Sequence, residues 1–261
     1  MPHLSTLDHG KSFDWGRTSG DYAIHRPSPP DGLYQRLGIL GVGLPGQRIL
    51  DLGTGTGVMI RSLVKRGATG SGIDIAAEQI QTAHELSKSE GLDIEFKVSD
   101  ADNTPFPDHS FDVVTALQCW WYFDVEKVLT EIKRLLKPNG QLVVAHFNYM
   151  PRVEMIAQKT EDLILKHNPK WTGANWSCEI PAIPNWAVGK MRVRGMFYFD
   201  EPIAFTRESW KGRIRACRGI AASLSPEQVA DFDIEHDQLL NQITGETFTI
   251  MHRIDAHIFE F

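Results

Sequence analysis

The residues best suited to chemistry lie in Ile49-Leu50-Asp51-Leu52-Gly53-Thr54-Gly55-Thr56-Gly57. Alternating glycines let the backbone turn closely around a ligand, because any side chain would fill that space, and a helix starting after them presents amide donors. The loop points to a nucleotide-like ligand; a tight strand-to-helix turn with packing glycines is the alternative. A dinucleotide fingerprint, GxGxxG, would place its third glycine at position 58, where the chain has Val58. Two carboxylates flank the loop, Asp51 before it and Asp74 in Gly72-Ile73-Asp74-Ile75. A carboxylate at a strand end can accept both hydroxyls of a ribose, the other reading of Asp74 being a solvated aspartate. For proton transfer the candidates are His146, at the end of a strand, and His25, near the N-terminus. Cys119 lacks a basic neighbour in sequence and reads as a buried structural thiol, and His84 as a solvated helix residue.

The elements that must position these groups follow from the apolar pattern. From residue 47, strand-length runs alternate with helical stretches: strands at 48–52, 71–75, 94–98, 112–117 and 141–147, helices at 58–65, 78–89 and 125–136. Such alternation predicts an α/β fold with a parallel sheet and helices on both faces. Residues 1–46 form an N-terminal arm with one short helix at 33–40, and 47–147 form the core that holds the ligand. Residues 148–261 supply cover and complete the sheet, all within a single domain. In that last part, helices are expected at 152–167, 208–220 and 226–243, strands at 196–199 and 248–261, and an irregular lid at 169–184. Arg207, Arg213, Arg215 and Arg218 read as a solvated cationic helix face, with recognition of an acidic substrate as the alternative.

Composition narrows the partners. A net charge of -6 over 261 residues weighs against a nucleic-acid substrate. Three widely spaced cysteines support neither a disulfide framework nor a zinc ribbon, and a reducing cytoplasm fits them best. No apolar run approaches the ~20 residues of a membrane span, and the first 20 residues lack the apolar stretch of a signal peptide. Six of the seven tryptophans fall between Trp120 and Trp210.

Residues 47–147 resemble the class I S-adenosylmethionine-dependent methyltransferases, particularly the small-molecule group that includes quinone methyltransferases. The likeness is carried by Leu50 to Gly57, by Asp74, by Ser99-Asp100-Ala101-Asp102 with Pro105 to Asp112, and by Leu135-Leu136-Lys137-Pro138-Asn139-Gly140-Gln141-Leu142. It implies a Rossmann-like, doubly wound sheet of seven strands with the last antiparallel, and S-adenosyl-L-methionine as cofactor. Gly53, Thr54 and Gly55 would run beside the methionyl group, Asp51 would hold its ammonium, and Asp74 with Ile75 would meet the ribose. Asp100 and the Ala101 backbone would meet the adenine edge, Tyr22 and Arg26 would fold over the cofactor from the arm, and Gln118 would face the methyl. The base-methylation motif expected after the fourth strand is absent. Residues 201–213 are similar to the C-terminal region of bacterial methyltransferases of uncertain substrate.

Methyl transfer from a sulfonium is an in-line displacement that requires no metal, so the protein's main task is alignment with water excluded. Aromatic faces can stabilise the cation and seat a flat acceptor. Trp120, Trp121 and Tyr122 leave the fourth strand, and Trp171, Trp176 and Trp186 fall in the irregular segment, so these are the expected pocket walls; simple core packing is the alternative for each. The expected substrate is a small aromatic or heteroaromatic metabolite, methylated at O, N or C. Rival readings are a non-catalytic cofactor-binding protein, a methyltransferase acting on RNA or protein, and a nicotinamide oxidoreductase. The last is disfavoured by Val58.

Overall fold

The computed structural model describes residues 7–10 and 13–261. Seven strands form one sheet in the order β3-β2-β1-β4-β5-β7-β6. They are β1 (Arg48–Leu52), β2 (Thr69–Asp74), β3 (Ile94–Val98), β4 (Phe111–Leu117), β5 (Leu136–Tyr149), β6 (Arg192–Thr206) and β7 (Thr247–Glu260). The first five are mutually parallel, and β7 runs antiparallel to both β5 and β6. This is the Rossmann-like architecture expected, including the antiparallel last strand. Chain order reverses between β1 and β4, so the loops leaving their carboxyl ends diverge and open a crevice there.

Helices cover both faces. On one, α2 (Asp31–Ile39), α3 (Val58–Val64) and α4 (Ala77–Ser89) bury Leu33, Leu37, Ile60 and Ala83 against Val143, Ala145 and Ile254. On the other, α5 (Val125–Leu135) buries Val128, Ile132 and Leu135 against Leu50, Val114 and Leu142. A third cluster joins α6 (Met155–His167), α7 (Arg207–Arg215) and α8 (Pro226–Ile243) around the fully buried Trp210, whose indole N–H donates to Thr160 Oγ1 at 3.1 Å. Burying such a side chain contributes roughly 2–3 kcal/mol, so this cluster has its own hydrophobic support. Among the described residues, no helix is long and apolar enough to cross a membrane.

Four elements depart from expectation, among them β5, which begins at Leu136 rather than 141 and runs to Tyr149 rather than 147. Helix α1 (Ser19–His25) was not anticipated, because it has no side-chain cap and no buried residue of its own. Tertiary contact holds it, through the Asp21 carboxylate gripped by Arg215 at 2.9 and 3.0 Å. Strand β6 runs far beyond 196–199 because it is the sheet's edge, where Arg192, Arg194, Asp200 and Glu201 break the apolar pattern that would reveal it. Helix α7 stops at Arg215 rather than 220, and in the turns that follow Gly219 lies against the Trp171 ring, leaving no room for a β-carbon.

Candidate active site

At the crevice, Gly53, Gly55 and Gly57 have φ of 57°, 54° and 78°, the left-handed region that glycine enters without a steric cost. A β-carbon on Gly53 would lie 2.9 Å from the Cys119 side chain, so the loops after β1 and β4 approach too closely for any other residue. Asp51, 2% exposed, accepts from Thr115 Oγ1 at 2.6 Å and Thr54 Oγ1 at 2.7 Å. Burial nevertheless pushes its carboxyl up to about 6, with the Asp74 charge adding to the rise. Asp74 accepts from the Gly55 and Ala76 amides, each at 2.9 Å, and burial raises it too. Neither carboxylate has a basic partner among the described residues.

Beside Asp74, Ile75 is 64% exposed and Val98, at the end of β3, 56%. Both are apolar side chains open to solvent at the carboxyl ends of neighbouring strands, and after them Asp100 is exposed and Ala101 buried. Val98 was not singled out from the sequence, where it is one more apolar strand residue. Tyr22 of α1 reaches within 4.0 Å of the β-carbon position of Gly55, and Arg26 lies over the Tyr22 ring at 5.0 Å, so the arm does return to the loop. Thr56 Oγ1 and Gln118 Oε1 are buried without partners. Two unneutralised carboxylates, unpartnered polar atoms and exposed apolar side chains fit a ligand that has a cation, hydroxyls and a planar base.

After β4, Gln118 takes φ 64°, and its amide donates to the Phe147 carbonyl and to Asn148 Oδ1 at 2.7 Å, tying the ends of β4 and β5 together. Nearby on β5, His146 Nδ1 lies 2.9 Å from Asp255 Oδ2 on the antiparallel neighbour, and Trp121 stacks on the imidazole at 5.0 Å and 12°. With Nδ1–H donating to the carboxylate, Nε2 carries the free lone pair, and no described residue bonds to it. Asp255 was missed; its signal was a lone acid inside the apolar run Ile254 to Phe259, where a buried carboxylate demands a partner.

A family described as a methyltransferase domain matches residues 50–144. The demethylmenaquinone methyltransferase of Thermus thermophilus is 41% identical over 149 residues, 56% of this chain and 60% of that protein. The ubiquinone biosynthesis O-methyltransferase of Pseudomonas entomophila is 31% identical over 182 residues, 65% of this chain and 76% of that one. The chain belongs to the class I S-adenosylmethionine-dependent methyltransferases. Among solved structures, YjhP from E. coli shares the fold, with a TM-score of 0.54 at 18% identity over 93% of this chain and 98% of that one.

The aromatic residues of this methyltransferase divide between roles. Trp121, 42% exposed, faces His146, while Tyr122 packs among Phe13 and Trp15 of the arm at 5.8 and 5.3 Å. Trp120 is buried against Trp186 at 4.5 Å, and Trp171 against Gly219 in the helical cluster, so both are core residues rather than pocket walls. Trp176 is half-buried in the irregular segment. That segment is tied down at several points, including Asn175 N–H to Glu161 at 2.8 Å and the Pro181 carbonyl to His257 Nε2 at 2.8 Å. Cys119 is the buried thiol expected, its Sγ donating to the Leu52 carbonyl at 3.1 Å. His84 is exposed.

Two further expectations need correction. The His25 ring lies on Gly212 of α7 with Nε2 3.8 Å from Asp21, a packing position in the junction of α1 and α7. The four arginines are not one solvated face. Arg207 pairs with Glu246, Arg215 with Asp21 and Asp233, and Arg218 with the buried Asp8. Arg213 is only 5% exposed. A linear sequence shows arginine spacing but not which one turns inward.

Proposed function

We propose that this methyltransferase acts on a small aromatic or heteroaromatic acceptor through an O–H or N–H group, with His146 as the general base. In this reading residues 1–46 are an arm, 47–147 hold the cofactor, and 148–261 complete the sheet and cover the acceptor. Asp51, Gly53, Thr54 and Gly55 hold the methionyl group, Asp74 and Ile75 the ribose, and Asp100 and Ala101 the adenine, while Tyr22 and Arg26 close over it. The carboxylate oxygens of Asp74 keep lone pairs for ribose hydroxyls beyond the amide bonds they accept.

S-Adenosylmethionine supplies a methyl group made electrophilic by its sulfonium. The chain's contribution is alignment, exclusion of water and removal of a proton. Gln118 fixes the ends of β4 and β5 relative to each other, and Trp121 offers an aromatic face to a flat acceptor. Asp255 orients the imidazole and stabilises it once charged, so that Nε2 can take the acceptor's proton as its O or N forms the new bond to carbon. The observation that carries the proposal is the His146–Asp255 pair held under the Trp121 ring at the carboxyl edge of the sheet. The names of the relatives, both quinone-pathway methyltransferases, support a ring-bearing acceptor.

Calorimetry with S-adenosylhomocysteine and mass spectrometry of an extract incubated with enzyme and S-adenosylmethionine test this directly. Saturable binding and a ring-containing metabolite heavier by one methyl group are expected. Binding without any methylated product would favour a non-catalytic protein, and label appearing in RNA or protein would refute a small acceptor.

A further inference from the structure

Arg213 is the one member of the arginine group without an acidic partner among the described residues, although it is 5% exposed. Its guanidinium lies over the Tyr149 ring, 5.5 Å from the centroid. Glu161, the acid that shares Tyr149 with it, is bonded instead to the Asn175 amide and the Tyr149 hydroxyl. The nearby charge is Arg26 of α1, a like charge whose repulsion adds to burial in bringing Arg213 down to about 10. Arg26 likewise has no carboxylate partner among the described residues and lies over the Tyr22 ring. Burying a cation without a counter-ion, with a second cation near enough to repel it, is costly unless a ligand brings the negative charge.

The chemistry and position of this pair say what that ligand carries. A planar guanidinium matches a carboxylate with two parallel hydrogen bonds. The groups around Arg213 are Tyr149 at the end of β5 and His252 of β7, both strands on the His146 side of β4, with Cys217 beyond α7 and Tyr22 and Arg26 of α1. Resting on the methyltransferase reading above, we propose that Arg213 forms a subsite for a carboxylate borne by the methyl acceptor. The substrate class is therefore a ring-bearing carboxylic acid, anchored through its acid at α7 with its O–H or N–H turned toward His146.

The same anionic group occurs on the methionyl end of the cofactor, so the experiment has two arms. In the first, small metabolites are separated on an anion exchanger at neutral pH, and each fraction is offered to the enzyme with S-adenosylmethionine carrying a labelled methyl. Transfer is expected to substrates in the retained fraction, and transfer confined to the unretained fraction would overturn the proposal. With that fraction as substrate, Arg213→Met should raise KM roughly ten- to hundredfold, the effect of losing a charge-assisted pair, and Arg213→Lys should recover part of it. An unchanged KM in Arg213→Met overturns the subsite. In the second arm, calorimetry compares S-adenosylhomocysteine with 5′-methylthioadenosine, which lacks the amino-acid head. Equal affinities of parent and Arg213→Met for both compounds are expected, and they also show that the variant folds. Weaker S-adenosylhomocysteine binding with unchanged 5′-methylthioadenosine binding would give the arginine to the cofactor and overturn the acceptor assignment. Parent enzyme that binds neither compound would instead refute the methyltransferase reading, a separate outcome in the same titration.

Discussion

The carboxyl edge of the sheet is charged in two places, with opposite sign. Beside β1 and β2, Asp51 is buried and Asp74 half-buried, with no cation among the described residues to neutralise them. Beyond β5, the buried Arg213 feels the like charge of Arg26 and has no acidic partner among the described residues. Among the other buried charges, Arg218 grips Asp8 at 2.8 and 3.1 Å and Arg215 lies between Asp21 and Asp233, while Glu161 is held by the Asn175 amide and the Tyr149 hydroxyl. Unpaired groups of opposite sign at one edge indicate a site built for ligands with complementary charges, a cationic and hydroxylated one on the acidic side and an anionic one on the basic side. His146 belongs to neither region, since its partner Asp255 is already satisfied in charge if the imidazole protonates.

The largest effect is expected where neither charged region contributes. His146→Gln should lower kcat by about 10²–10⁴-fold, the range of a lost general base, with S-adenosylhomocysteine affinity unchanged in calorimetry. Asp255→Asn should produce a smaller loss of the same kind, because it removes orientation but leaves the base. If His146→Gln turned over at the parent rate, proton removal would lie elsewhere and the separation of chemistry from binding would collapse. The acidic region is tested next. Asp74→Ala should weaken S-adenosylhomocysteine roughly ten- to hundredfold, matching loss of hydrogen bonds to a charged acceptor, whereas Arg213→Met leaves it intact. Equal losses in the two variants would mean one binding region rather than two.

The two regions were not equally legible in the sequence. The acidic one is written in contiguous residues, since Asp51 to Gly57 form a single turn and Asp74 ends the next strand. Local spacing is enough to assemble it, and the parallel sheet follows from the same alternation of apolar runs. The basic region joins α1 to α7, from opposite ends of the chain, and α1 has neither cap nor buried face to announce it. Arg213 also looked like its neighbours Arg207, Arg215 and Arg218, because helical spacing assigns a face but not what packs against it. Trp120 and Trp171 failed as pocket walls for a similar reason: composition shows where aromatic residues cluster, while burial against Trp186 or Gly219 depends on the tertiary fold. His146 was visible as a strand-end histidine, yet the Asp255 that makes it a credible base lies across an antiparallel pairing.

The smallest expected effect asks whether the acidic region is truly uncompensated in the cofactor-free protein. Burial holds the Asp51 carboxyl at about 6, above its ordinary value of 3.8, despite the bonds from Thr115 and Thr54. A carboxyl raised on folding binds its proton more tightly in the folded state, so it costs stability above pH 6 and that cost is relieved as pH falls from 6 toward 4. Asp51→Asn removes the cost but weakens the two threonine hydrogen bonds, leaving a net gain of about 1 kcal/mol at pH 7.5, or roughly 2–4 °C in Tm. The gain should shrink as the pH is lowered to 5. His236 and His252, which burial pushes down to about 3, lose stability over that range in both proteins, so they cancel in the difference. Scanning calorimetry of parent and variant at pH 7.5 and 5 reads the effect. A variant less stable than the parent at pH 7.5 would mean that Asp51 is already compensated, and the contrast between the two charged regions would then rest on Asp74 alone.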